Sequence, residues 1–141
     1  MWNKKVTIKT NATKEQIWNL WTEVDKWKNW DKEVEYSNLN GEFKVGSSGI
    51  LKPKKGPKSK FVIISKNKLS EFTTRSFLPL TKIDFTHKMT IKGNELYITH
   101  GVEIKGLLTF IFSKVIGKKI IAELPKTMKN LSEMAINTKT K

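Results

Sequence analysis

The feature that most limits what this chain can fold into is a pair of long alternating segments joined by the turn Lys92-Gly93-Asn94-Glu95. In the first segment, residues 82–91, Ile83, Phe85, His87, Met89 and Ile91 fall in one phase. Asp84, Thr86, Lys88 and Thr90 fall in the other. In the second, residues 95–105, Leu96, Ile98, His100, Val102 and Ile104 share a phase, opposed by Tyr97, Thr99 and Glu103. Successive strand side chains point to opposite faces, so each segment presents one apolar face. The turn pairs Ile91 with Leu96. Counting back then pairs Met89 with Ile98, His87 with His100 and Phe85 with Val102. A slip by one residue would turn every apolar side chain to solvent, which constrains the register. A slip by two would leave both histidines inward but diagonal.

These are the chain's two histidines, and both lie in the apolar phase. In the direct register their Cβ atoms are expected about 5 Å apart. Burial and mutual proximity both oppose protonation, so the pair is expected to be neutral at pH 7 and to titrate as a unit. Cysteine is absent, which removes disulfides, thiolate nucleophiles and Cys-based zinc sites. No metal site is expected, because two histidines need a third ligand and the nearby acids Asp84 and Glu103 are in the outward phase. No Ser-His-acid motif is present. The pair therefore reads either as a self-satisfied structural contact or as a polar anchor in an apolar pocket, with acid/base chemistry as a further option.

The rest of the chain supplies a sheet and a covering helix. Strands are predicted over 2–9, 33–38, 49–52, 59–65 and 71–78, separated by short connections in a meander. Thr13 and Gln16 have capping-box spacing and start a helix over 14–22, whose apolar face is Ile17, Leu20, Trp21 and Val24. Residues 25–30 form a second short helix or turn. From Leu108 an apolar stripe runs through Phe112, Val115, Ile116, Ile120, Leu124, Met128, Leu131 and Met134. It predicts one long helix over 107–135, kinked at Pro125 and open to a break near Gly117. Such a stripe must be buried, and the apolar face of the sheet is its partner. The polar tail beyond Ala135 is expected to fray.

One domain over 1–141 fits the length. The formal charge of +14 invites nucleic acid or anionic membrane as a partner. Nucleic acid is disfavoured, because Arg75 is the single arginine among 27 basic residues and arginine is the better fork for bases and phosphates. The run Lys52-Pro-Lys-Lys-Gly-Pro-Lys-Ser-Lys60 carries turn residues and reads as a connection between strands. The start of the chain has no apolar leader segment, and a cytoplasmic location is the expectation. The face of Arg75 is open, because Phe72, Thr74, Ser76 and Leu78 form an equally good inward set; the outside is favoured.

Several stretches together resemble the polyketide cyclase/dehydrase group of the START-like, or SRPBCC, superfamily. They are Ile17-Trp18-Asn19-Leu20-Trp21-Thr22 with Trp27-Lys28-Asn29-Trp30-Asp31, the segment Leu39-Asn40-Gly41-Glu42-Phe43 followed by Gly46, the two His-bearing strands, and Gly106-Leu107-Leu108. The resemblance implies an α+β helix-grip fold, a curved antiparallel sheet wrapped around the C-terminal helix. It implies an internal cavity for a lipid, polyketide or aromatic compound, with no cofactor. The expected lining is Phe85, His87, Met89, Ile98, His100 and Val102 from the sheet, closed by Phe112, Ile116, Ile120 and Leu124 from the helix. Trp27 and Trp30 are expected at a rim, with simple core packing as the alternative; Trp21 reads as core. The alternatives are a cyclase, dehydratase or hydrolase with His87 or His100 as general acid/base, and a lipid-handling protein that meets an anionic membrane through residues 107–116.

Overall fold

The computed structural model describes residues 1–138. Seven strands form one antiparallel sheet: β1 (Trp2–Thr10), β2 (Val34–Leu39), β3 (Ser48–Pro53), β4 (Ser59–Asn67), β5 (Glu71–Leu78), β6 (Thr81–Lys92) and β7 (Glu95–Gly106). Their order is β1-β7-β6-β5-β4-β3-β2. Strands β2 to β7 are the expected meander, and β1 closes onto β7 with Val6 opposite His100. Register shifts in β2, between Val34 and Tyr36, and in β4, between Ile63 and Ser65, add residues on one side. Such bulges bend and twist the strands that carry them, and the sheet curls.

Between β1 and β2 lie α1 (Lys14–Thr22) and a 3-10 helix (Val24–Asn29). The capping box is made: the Gln16 N–H donates to Thr13 Oγ1 at 3.1 Å and the Thr13 N–H to Gln16 Oε1 at 2.9 Å. After β7 the chain forms α2 (Thr109–Phe112), a π-helical turn (Ser113–Gly117) and α3 (Lys118–Ile136). The expected irregularity near Gly117 is thus a change of winding within one helical rod. A Cβ on Gly117 would lie 2.7 Å from the Trp2 ring, so glycine lets the rod come close to the first strand. The rod stays helical through Pro125, although proline has no N–H for the Ile121 carbonyl.

The rod lies in the curl of the sheet, against β1, β7 and α1. Its apolar stripe meets two clusters. In one, Ile17, Trp21, Phe72, Ile98, Met128 and Leu131 are buried, together with Trp18, Trp27 and Trp30. In the other, Ile83, Val102 and Ile104 are buried, and Phe85, Phe112, Ile116 and Ile120 pack on them only partly buried. Leu124 touches both. The basic run near residue 55 connects β3 to β4. Arg75 faces outward: its Nε and Nη2 donate to Asp84 Oδ1 and Oδ2 at 2.7 and 2.9 Å.

Candidate functional site at the histidine rung

The β6–β7 register places Met89 opposite Ile98, His87 opposite His100, and Phe85 opposite Val102. These three rungs cross from one cluster to the other. Met89 and Ile98 belong to the buried cluster and Phe85 and Val102 to the partly buried one. The histidine rung is the polar seam between them. The imidazole centroids are 4.7 Å apart at 70°.

Each ring has protein partners that strand arithmetic did not anticipate. Trp21 on α1 donates its indole N–H to His100 Nε2 at 3.2 Å. Phe72 on β5 stacks on His87 with centroids 4.0 Å apart and planes 2° apart. The Phe72 carbonyl lies 3.4 Å from His87 Nδ1. A carbonyl only accepts, so this contact, long as it is, favours the tautomer with the proton on Nδ1 and the lone pair on Nε2. His100 is buried. His87 keeps some accessible surface but lies deep enough that desolvation dominates its chemistry.

Burial is the main cause holding both imidazoles neutral. His87 is pushed down to about 3, against a smaller upward pull from the Phe72 and Phe85 carbonyls. His100 is pushed well below the usual imidazole range, first by burial and then by His87. No acid counters this, because Asp84 is held on the opposite face of the sheet by Arg75, with Lys105 Nζ at 3.9 Å. Glu103 pairs with Lys105 at 3.2 Å.

The chain path, with its curled seven-stranded sheet and long C-terminal helix, is shared by solved structures at low identity. Norcoclaurine synthase from Thalictrum flavum, in complex with dopamine and hydroxybenzaldehyde, is 14% identical with a TM-score of 0.75, over 99% of this chain and 89% of that one. Ara h 8.0201 is 9% identical with a TM-score of 0.73, over 97% and 99% of the two chains. A hypothetical protein from Helicobacter pylori is 9% identical with a TM-score of 0.76, over 94% and 86%. The fold is the START-like helix grip. No protein-family model matches the chain, and no curated protein matches it. Among the described residues no helix is long and apolar enough to cross a membrane.

Within this helix grip, the residues expected to line one cavity divide. Phe85, Val102, Phe112, Ile116 and Ile120 come together between the sheet and the first turns of the rod. Met89 and Ile98 pack into the other cluster with α1. Trp27 and Trp30 are not at a rim; both are buried. Trp27 stacks on Phe61 at 5.6 Å and donates to the Trp21 carbonyl at 2.9 Å. The reason is the 3-10 helix, which packs on β2 and turns Trp27 onto Phe61 of β4 and its C-cap Trp30 toward His100 of β7. Trp30 lies 6.3 Å from His100, ring to ring, and its buried indole N–H has no acceptor among the described residues. Two hollows of about 350 Å³ each, both open to solvent, lie away from the histidine rung. One lies between the β6–β7 turn and the start of α1, and the other beside the β5–β6 turn.

Proposed function

We propose that this helix grip binds a small, mostly hydrophobic molecule between the sheet and the first half of the C-terminal rod, on the Phe85 side of the histidine rung. One observation carries the reading. Phe85, Phe112, Ile116, Ile120 and Leu124 face inward yet stay half-buried, whereas inward apolar side chains in a finished core are close-packed. An apolar lining with a few polar groups at one end is the usual chemistry of a small-molecule site. Here His87 supplies an acceptor nitrogen at one end. The fold-sharing norcoclaurine synthase, complexed with dopamine and hydroxybenzaldehyde, makes a small aromatic compound a reasonable first class to try beside lipids and polyketides.

The same pair is poorly suited to general acid/base work. Efficient proton transfer wants a pKa near the working pH, and His87 is held near 3. The histidines are therefore read as hydrogen-bonding groups that orient a ligand rather than as a proton relay.

Native mass spectrometry of the purified chain, with extraction of anything carried along, is the direct test. A stoichiometric apolar adduct, or saturable uptake of an apolar fluorophore, is expected. Phe112→Asp should weaken uptake roughly tenfold or more by placing a charge in the lining. His87→Phe should leave uptake of a purely hydrocarbon probe intact while weakening molecules that carry a hydrogen-bond donor. A chain that purifies empty and takes up no apolar probe would refute the reading.

A further inference from the structure

The β5–β6 turn holds a leucine where the backbone suits glycine or asparagine. Leu80 has φ +52° and is 70% exposed. A Cβ disfavours that conformation, which Gly, Asn and Asp adopt most readily in turns. An exposed leucine gains nothing from the fold in return. The neighbouring turn repeats the choice. Leu107 is 74% exposed, and its N–H donates to the Leu80 carbonyl at 3.0 Å, which ties the two turns together. Phe110, Ile111 and Val115, on the helical turns that follow, are exposed as well. Single exposed apolar residues are ordinary, but a contiguous group marks an interaction surface.

The charge around this tip has one sign. Neither residues 72–83 nor residues 104–122 contain Asp or Glu. Lys82 and Lys105 are cross-strand partners beside the turn. With Arg75 they line the open hollow next to Leu80. Arg75 and Lys105 are engaged by Asp84 and Glu103. Lys82, Lys114, Lys118 and Lys119 have no carboxylate partner among the described residues.

We propose that this end of the molecule docks on a lipid bilayer bearing anionic headgroups, with Leu80, Leu107, Phe110, Ile111 and Val115 at interfacial depth and the unpaired lysines on the phosphates. Apolar side chains beside lysines are the combination that holds a peripheral protein at such a surface. A protein partner would need carboxylates to match these lysines as well as a pocket for the leucines, whereas an anionic bilayer offers both. The docked residues share two helical turns with Phe112 and Ile116, which pack half-buried against the sheet. Docking therefore sets the proposed ligand site beside the bilayer, a point that rests on the binding reading above.

Flotation of the full chain with vesicles tests this, using phosphatidylcholine alone and phosphatidylcholine with about a third phosphatidylglycerol. Binding is expected on the anionic vesicles only, and it should weaken with added salt. Leu80→Asn combined with Phe110→Ser should lower it about tenfold or more. The melting temperature should hold or rise, because asparagine suits φ at position 80 and neither side chain is in the core. Lys114→Gln with Lys118→Gln should lower binding by about tenfold. A wild-type chain that stays unbound overturns the proposal. So does binding that is unchanged in Leu80→Asn/Phe110→Ser, which would be adsorption of net charge. Self-association by sedimentation velocity that disappears in that variant also overturns it, by assigning the patch to a second copy of the chain. Ligand uptake is read separately. Docking by a chain that takes up no apolar molecule supports this proposal and removes the binding reading.

Discussion

The interior on the two sides of the histidine rung is built to different standards. On the α1 side, Trp21, Phe72, Ile98, Met128 and Leu131 have essentially no exposed surface. Their rings interlock edge to face, with Trp21 and Phe72 centroids 5.5 Å apart. On the other side the sheet supplies three buried residues, and the rod covers them with side chains that remain half-buried. The winding of the rod differs as well: the π-helical turn lies over the partly buried half, and α3 runs from there onto the packed one. Stability is thereby concentrated in one half, which leaves the other free to exchange contacts with something else. Regions that bind and open are drawn from the less stable parts of a fold.

The contrast can be broken by mutation, and the largest effect is expected at its centre. Trp21→Ala should cost about 3–5 kcal/mol in urea unfolding, as large aromatic truncations in cores do, and it also strands the His100 acceptor. Phe112→Ala should cost about 1–2 kcal/mol, because that ring is only partly buried. Equal costs at the two positions would show that the halves are packed alike. The rung itself predicts a pH dependence. The unfolded histidines take up protons below about 6.5, while folded His87 resists down to about 3. Stability is then fully present above pH 6.5 and falls as the pH drops through that window, by up to about 1.4 kcal/mol per pH unit for each imidazole. The double variant His87→Gln, His100→Gln should flatten this acid limb of the melting-temperature profile. An unchanged limb would assign it to carboxylates. The smallest effect belongs to the exposed Lys9–Glu95 pair at 2.8 Å. Glu95→Gln should leave the urea midpoint unchanged within error, because exposed ion pairs contribute little, which sets the baseline against which the other changes are read.

Where a period and a turn sufficed, the sequence could be read closely. The β6–β7 register was legible because one hairpin turn fixes the count and alternation punishes a slip. The capping box gave α1 its start, and the apolar stripe gave the rod its course. Contacts between elements distant in sequence were not legible. Trp21 was assigned to the core from its helical face, but no local pattern says that its N–H meets His100, 79 residues away. Phe72 was placed inward, yet its stacking on His87 depends on how β5 pairs with β6. Trp27 and Trp30 were expected at a rim because an aromatic ring there supplies contact area and an N–H donor. The direction taken by the 3-10 helix decides their place, and its entry residue Glu23, with φ −85° and ψ 74°, carries no side-chain cap to announce it. The bulges in β2 and β4 likewise follow from tertiary curvature rather than from a residue type.

The pairing of β1 with β7 has a kinetic consequence. Trp2 meets Ile104, so the first strand to leave the ribosome waits for the last one to be made. At about 5–20 residues per second, this delay is roughly 5–20 seconds. Throughout it Val6 and Ile8 are uncovered and the strand is free to recruit another chain along its backbone. Lys5 and Lys9 alternate with those residues, and Lys4 precedes them in their own phase; charge on an unpaired strand opposes such recruitment. Neutralising these three lysines should lower the yield of soluble protein more than it lowers the melting temperature.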